Sequence, residues 1–310
     1  MTVRQEDQHG TNIDSLTIEV MNCSFYVAVS NSEQPDWKQT VTSLLHYFDS
    51  EFSRFKAFNE LWRFNEAEQN STVTVSPVLY DLLKKAENYR ILTEGRFSPY
   101  MLTPLEQHGY HQSFPFTEAV SAKVPPSIYK LESEPLIFHG DGRITKRTKQ
   151  KVDLGGIAKG YAVEAVSTWL QQQAHACFGI VDGGGDMAVW SNGEKTWKIG
   201  IMDPFDEDRE IGTFSIMNGG IATSNTVYRS WLQDGILKSH LLDGRTGKPV
   251  KSPIVQTTVI TKHCIDAEIG AKVCFMEDPA AIKTVLNKIS ENYQYVLVTL
   301  DGQTINGRSN

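Results

Sequence analysis

An aspartate and a lysine bracket a glycine turn in the run Val152-Asp153-Leu154-Gly155-Gly156-Ile157-Ala158-Lys159-Gly160-Tyr161-Ala162. It reads as the end of a strand, a turn and the start of a helix. Glycines let a backbone approach a ligand closely, and the free N–H groups of a first helical turn attract anions. With Asp153 and Lys159 on either side, the chemistry suggested is binding of a phosphate-bearing ligand, with or without a metal. Glycine turns before helices are common and most only cap or pack, so the run gains its weight from its company. His240-Leu241-Leu242-Asp243-Gly244-Arg245-Thr246-Gly247-Lys248-Pro249 puts a titratable imidazole, an acid, a cation and a hydroxyl in one strand-to-turn segment. By alternation His240 and Leu242 share a face and Asp243 begins the turn. A lone histidine is more often structural than catalytic; one with Asp, Arg and Thr so close shifts the balance towards function. In Asp266-Ala267-Glu268-Ile269-Gly270-Ala271-Lys272-Val273-Cys274 a helix begins, with Asp266 and Gly270 one turn apart on a shared face. Asp266 either caps that helix or offers a carboxylate to Mg²⁺, which takes oxygen ligands and keeps waters and substrate phosphates.

The elements that must position these residues follow from periodicity. Phe25 to Val29 reads as an early strand, and Trp37, Val41, Leu44, Leu45, Phe48, Phe52 and Phe55 line one face of a long helix. Ser76-Pro77 is a cap followed by proline at the first helical position, with Leu79, Leu82, Leu83 and Ala86 continuing inward. Gly95 to Pro125 reads as irregular and loop-rich. After the glycine turn, Ala158, Ala162, Ala165, Val166, Trp169 and Leu170 recur at helical spacing. From Ile180 to Ile260 short apolar runs alternate with Gly, Asp and Asn, the pattern of a strand-rich region. There, Asp182-Gly183-Gly184-Gly185-Asp186 is a tight turn or a ligand contact, and Ile221-Ala222-Thr223-Ser224-Asn225 offers two hydroxyls and an amide. Asp278-Pro279 starts a further helix, and Tyr295 to Leu300 is the final strand expected. The pattern is α+β rather than regular βαβ alternation.

Composition sets the class. The chain has 310 residues, 40% hydrophobic and 22% charged, with net charge −7. These values suit a globular enzyme with one large domain or two intimate ones. The basic run Lys146-Arg147-Thr148-Lys149-Gln150-Lys151 is short and reads as a solvated hairpin edge, not a nucleic-acid arm. An acidic protein that binds an anion needs a metal or local cations to do so. Residues 1–14 are polar and lack the apolar core of a signal peptide, and no apolar run approaches the ~18 residues of a membrane span. Cys23, Cys177, Cys264 and Cys274 are widely spaced without a CxxC, which reads as reduced, mostly buried thiols in a cytoplasmic protein.

Taken in order, these segments resemble the FAD:protein FMN transferases, the ApbE family. The matching stretches are Ser53-Arg54-Phe55, Gly95-Arg96-Phe97-Ser98-Pro99 with Thr103-Pro104-Leu105, Val152 to Ala162, Asp182 to Asp186, Trp197 to Pro204, Ile221 to Ser224, His240 to Pro249, and Asp266 to Ala271. The resemblance implies a T-fold-like α+β domain over residues 21–310, with antiparallel sheets flanked by helices, behind a disordered or extended segment 1–20. It implies Mg²⁺-assisted transfer of FMN from FAD to a Ser or Thr of an acceptor protein, with release of AMP. Its runner-up implications are FAD binding without transfer, and hydrolysis of FAD. By the family pattern, Met21, Arg96, Phe97, Ser98, Asp153, Lys159, Thr223 and Ser224 contact FAD. The Gly156 carbonyl, Asp266 and the Gly270 position face the metal, and His240 with Asp243 serves the acceptor hydroxyl. Four positions depart from the pattern: Ser98 where the family usually has Asp, Gly270 where it has Thr, Asn225 where it has Gly, and Met21-Asn22-Cys23 where it has Met-Gly-Thr.

Overall fold

A computed structural model describes residues 2–4, 13–116, 128–193 and 195–309. The chain divides into two compact units. The first takes residues 1–47, 159–225 and 253–310, and the second takes residues 48–158 and 226–252. Seven α-helices are described: α1 Trp37–Phe52, α2 Glu60–Glu66, α3 Pro77–Leu92, α4 Leu102–Gln107, α5 Ala158–Gln172, α6 Cys264–Val273 and α7 Ile282–Ile289.

The first unit is built on an eight-stranded sheet in which every pairing is antiparallel. In order across the sheet, its strands are Thr304–Arg308, Gln294–Thr299, Ile254–Thr261, Gly219–Asn225, Asp186–Trp190, Phe178–Gly183, Cys23–Ser30 and Ile13–Val20. A second sheet pairs Thr2–Arg4, Trp197–Asp203 and Asp206–Ile216. Trp197 and Ile199 of that sheet bury against Phe178, Ile180, Met187, Val189, Ile221 and Ile260 of the large one. α6 lies on the strands Gly219–Asn225 and Ile254–Thr261. The strand Ile254–Thr261, third from one edge of the large sheet, is buried along its whole length, so Gln256 and three threonines share it with apolar residues and no inside–outside alternation shows.

Local sequence explains the helix ends. The Ser76 hydroxyl accepts the Leu79 N–H at 3.1 Å ahead of Pro77, and Asn59 accepts the Trp62 N–H at 2.7 Å to start α2. α5 buries Ala158, Ala162, Val163, Val166 and Leu170, the spacing expected of one apolar face.

The second unit holds a three-stranded sheet of Ser71–Thr74, Arg143–Lys146 and Leu136–Phe138. It also holds the hairpin Ser230–Gln233 with Ile236–Ser239, and the short pair Leu242–Asp243 with Lys248–Pro249.

Of the segment expected to be disordered or extended, residues 13–20 are extended, as a strand paired with Cys23–Ser30. Several expectations are corrected. α1 stops at Phe52 and leaves Phe55 exposed. Within Gly95 to Pro125 there is a short helix, α4, because Leu102 and Leu105 find an apolar neighbourhood; residues 117–125 lie outside the described residues. The strand Gln294–Thr299 is followed by another, Thr304–Arg308. Two of the four cysteines, Cys264 and Cys274, are buried, while Cys177 is exposed. Lys146 is no solvated hairpin edge. Its side chain is buried and donates to the Asn65 carbonyl at 2.8 Å and the Ala67 carbonyl at 3.0 Å, and burial pushes its pKa down.

Candidate functional site

Four of the matching stretches converge inside the second unit. The segment Gly95–Pro99 is their hub. The Gly244 N–H donates to the Arg96 carbonyl at 2.9 Å, and the Asp153 N–H donates to the Pro99 carbonyl at 2.7 Å. Gly244 is required by this approach: a Cβ there would stand 2.4 Å from the Gly95 carbonyl oxygen and 2.7 Å from Ser98 Cβ. Phe97 and Ser98 are buried. The Ser98 hydroxyl accepts the Tyr100 N–H at 3.3 Å and lies 3.4 Å from the Tyr129 hydroxyl, so the residue replacing the family aspartate closes a local turn. The Arg96 side chain donates to Glu94 at 2.9 Å and to the Thr93 carbonyl at 3.1 Å.

Asp153 is held by a residue that sequence reasoning quoted but gave no role. Arg54 Nε donates to Asp153 Oδ2 at 2.9 Å, with the two side chains only 6% and 9% exposed. Arg54 Nη1 also donates to the Tyr110 carbonyl at 2.8 Å, and its guanidinium stacks on the Phe55 and Tyr110 rings. The other oxygen, Asp153 Oδ1, accepts the Gly155 N–H at 2.9 Å and shapes the glycine turn. Gly156 is half-buried in that turn.

The strand expected through His240 stops at Ser239, and pairing resumes at Leu242. His240 is half-buried there, with Nδ1 3.4 Å from the Arg229 carbonyl oxygen. Asp243 accepts Arg245 Nε at 2.9 Å and Nη2 at 2.7 Å, and its carbonyl accepts the Thr246 and Gly247 N–H groups at 3.0 and 2.8 Å. The turn is braced by a second imidazole that the sequence did not single out. His108 Nε2 lies 3.1 Å from the Gly247 carbonyl oxygen and Nδ1 lies 3.2 Å from Lys238 Nζ. This arrangement assigns the neutral tautomer with Nε2–H donating and Nδ1 accepting.

Burial, and then the Lys238 ammonium, push the His108 pKa below its ordinary value. A base with a depressed folded-state pKa binds fewer protons folded than unfolded. It therefore contributes stability above the ordinary histidine value of 6.5, and that contribution fades as pH falls below it. His108→Gln is expected to flatten the fall in melting temperature between pH 7 and about pH 5. Parallel melting curves for variant and wild type across that window would show the idea wrong.

In the first unit another set meets. Met21 sits in the turn between Ile13–Val20 and Cys23–Ser30, with a left-handed φ of 53°. Cys23 Sγ reaches the Gly183 carbonyl at 3.6 Å. Asp182 to Asp186 is the hairpin turn between Phe178–Gly183 and Asp186–Trp190, and the Thr223 N–H donates to the Gly185 carbonyl at 3.1 Å. The Thr223 hydroxyl pairs with that of Thr258 at 2.8 Å, and Ser224 is buried. Lys159 pairs with the buried carboxylate of Asp186. The first turn of α5 is therefore not a vacant anion site. The Ala158 N–H bonds the Leu154 carbonyl at 2.8 Å, and the Gly160 N–H bonds Glu268 Oε2 at 2.9 Å.

Asp266 lies half-buried in the first turn of α6, whose N-cap is His263. Of the three positions expected at a metal, Gly156 and Gly270 bring only backbone oxygen. Among the described residues no three His, Cys, Asp or Glu side chains gather as a metal site. A single carboxylate suits an ion that arrives with substrate phosphates and keeps its waters. The missing side chain at Gly270 would point at Leu286 and Val259: a Cβ would meet Leu286 Cδ2 at 3.1 Å and Val259 Cγ1 at 3.3 Å. Gly270→Thr is expected to destabilise by about 1–3 kcal/mol through overpacking. Thermal melting checks this, and an unchanged or raised midpoint would mean that the core has room for the hydroxyl.

Residues 16–297 match the family model described as "ApbE family". The chain is 28% identical to an FAD:protein FMN transferase of Klebsiella pneumoniae (strain 342), over 76% of this chain and 73% of that protein. It is 23% identical to one of Escherichia coli (strain K12), over 96% of this chain and 87% of that protein. Among solved structures it is similar to the ApbE protein from Thermotoga maritima, with TM-score 0.82 at 23% identity, over 96% of this chain and 97% of that one. It is also similar to the flavin transferase ApbE from Vibrio cholerae, with TM-score 0.76 at 23% identity, over 97% and 98% of the two chains. The architecture described above is thus the fold of these proteins.

Proposed function

This chain belongs to the ApbE family, and on that premise we propose that it moves FMN from FAD onto a Ser or Thr of an acceptor protein. The observation that carries the reading is the convergence in the second unit. There Gly95–Pro99, the Asp153 turn and the Asp243–Gly247 turn, far apart in sequence, are hydrogen-bonded into one assembly. Packing alone does not ask that these stretches, each with its own polar groups, be brought together.

In the proposed reaction the acceptor hydroxyl oxygen attacks the phosphorus on the FMN side of the pyrophosphate. The new phosphoester bond forms as the bridging P–O bond breaks, and AMP leaves with the bond electrons. His240 takes the hydroxyl proton, and the turn braced by Asp243, Arg245 and His108 holds it in place. Arg96, Phe97, Ser98, Met21, Thr223, Ser224, Asp153 and Lys159 form the FAD-binding set. Mg²⁺ would be held by Asp266 together with the substrate, and would supply neutralisation of phosphate charge. With one carboxylate side chain, the dependence on Mg²⁺ is expected to be shallow.

No described helix is long and apolar enough to cross a membrane. The composition and the widely spaced cysteines support a cytoplasmic enzyme.

The test is incubation with FAD, an acceptor domain and graded Mg²⁺, followed by intact mass of the acceptor. Covalent FMN on the acceptor supports the proposal. Free FMN and AMP without an adduct would make the protein a hydrolase instead. Bound, unchanged FAD would make it a binding protein, a reading favoured by the loss of side-chain donors at Gly270.

A further inference from the structure

Four ionisable side chains meet around the first turn of α5, within the first unit. Glu268 on α6 is fully buried. Its Oε2 accepts the Gly160 N–H at 2.9 Å and its Oε1 accepts Lys272 Nζ at 2.9 Å. Next to Gly160, Lys159 pairs with Asp186. Burial works against the Lys159 charge, but Asp186 and Glu268 outweigh it and hold its pKa above the ordinary value. Burial pushes the Glu268 carboxyl up, and Lys272 pulls it down. Gly160 is shaped to this contact, since a Cβ there would stand 2.7 Å from Glu268 Oε2.

Stability does not account for this arrangement. Taking a carboxylate and an ammonium out of water costs several kcal/mol each, and an apolar pair of similar volume packs as well or better. What the carboxylate adds is direction. It places negative charge at a helix N-terminus, fixes one N–H of that turn, and sets a second charge beside Lys159. It does so from the helix that also carries Asp266.

We propose that Glu268 is a positioning residue for flavin transfer: from α6 it grips the first turn of α5 and so holds Lys159 in the orientation that serves FAD. The inference rests on the transfer reading and adds to it a residue that does not touch substrate.

The test is the double variant Glu268→Met with Lys272→Met, which removes both charges and keeps the volume. It is expected to melt close to wild type. It should lose ~10–100-fold in kcat/KM for FAD, the scale of a misplaced binding group. Amide exchange at Gly160 should speed about tenfold while the strands of the large sheet keep their protection. Glu268→Gln keeps an oxygen for the Gly160 N–H and should recover most of the loss. A double variant that melts normally and retains wild-type kcat/KM, or wild-type exchange at Gly160, overturns the proposal. Should that variant fail to fold, Gly160→Ala takes its place, because its Cβ must displace the carboxylate. The same loss is expected there, and wild-type turnover sinks the proposal. If wild-type protein transfers no FMN at all, the functional reading fails by itself, and exchange at Gly160 still decides whether Glu268 grips α5.

Discussion

His240→Ala is expected to bind FAD with near wild-type affinity and to lose FMN transfer by ~10²–10⁴-fold, the usual worth of a positioned general base. The motive is its place. It is half-buried, three residues ahead of the Asp243 turn that Gly244 ties to the Arg96 carbonyl. Its Nδ1 lies 3.4 Å from the Arg229 carbonyl oxygen, a long contact that leaves the ring near the turn without a short anchor at that nitrogen. The competing role is structural, shared with His108, which does brace the turn through Gly247. A bracing histidine would lose stability and FAD binding together when removed. Melting, FAD titration and single-turnover transfer on one preparation separate the two. A constant ratio of transfer rate to bound FAD ends the catalytic reading. His108→Gln provides the contrast, since it should lower the melting temperature above pH 7 while leaving the chemical step on bound FAD largely intact.

Arg54→Met is expected to cost about 3–5 kcal/mol, because it strands the Asp153 carboxylate in a buried site. Asp153→Ala should cost a comparable amount by stranding the guanidinium, and any loss of FAD affinity would then follow the loss of fold. Pairing Arg54→Met with Asp153→Asn removes both charges and keeps an oxygen for the Gly155 N–H. That double variant should recover more than half of the lost stability. The measurement is denaturant unfolding of wild type, Arg54→Met, Asp153→Asn and their combination as a double-mutant cycle, with Asp153→Ala measured beside it. A single-variant cost below about 1 kcal/mol would place the pair in the class of solvent-exposed ion pairs and remove the argument. Should Asp153→Asn bind FAD weakly at an unchanged melting temperature, the carboxylate touches the ligand after all.

The sequence alone determined the elements whose signals are local. Ser76-Pro77 announced α3 because a hydroxyl cap and a proline at the first turn act on their own neighbours. The apolar faces of α1 and α5 were legible for the same reason, since 3.6-residue spacing survives any tertiary context. The strand ahead of Asp182 was marked by its apolar run, and the glycines after it allowed the hairpin turn as one of two readings. The order of the matched stretches was enough to name the family, because order along the chain is itself a property of sequence.

Tertiary structure alone decided which polar groups were already taken. The α5 N-terminus looked open to an anion, yet Gly160 is bound by a glutamate more than a hundred residues away. On α6 Glu268 lies off the Asp266 face. That direction leads to α5 rather than to solvent. Asp153 carries an Arg54 guanidinium that its own stretch does not announce, and Lys146 looked solvated until two carbonyls were found on its ammonium. At Gly270 only the fold shows that a Cβ would meet Leu286 and Val259. In each case the partner is distant in sequence. Burial raises the cost of an unpaired charge or donor, so the fold must supply that partner, and no local pattern records which residue it will be.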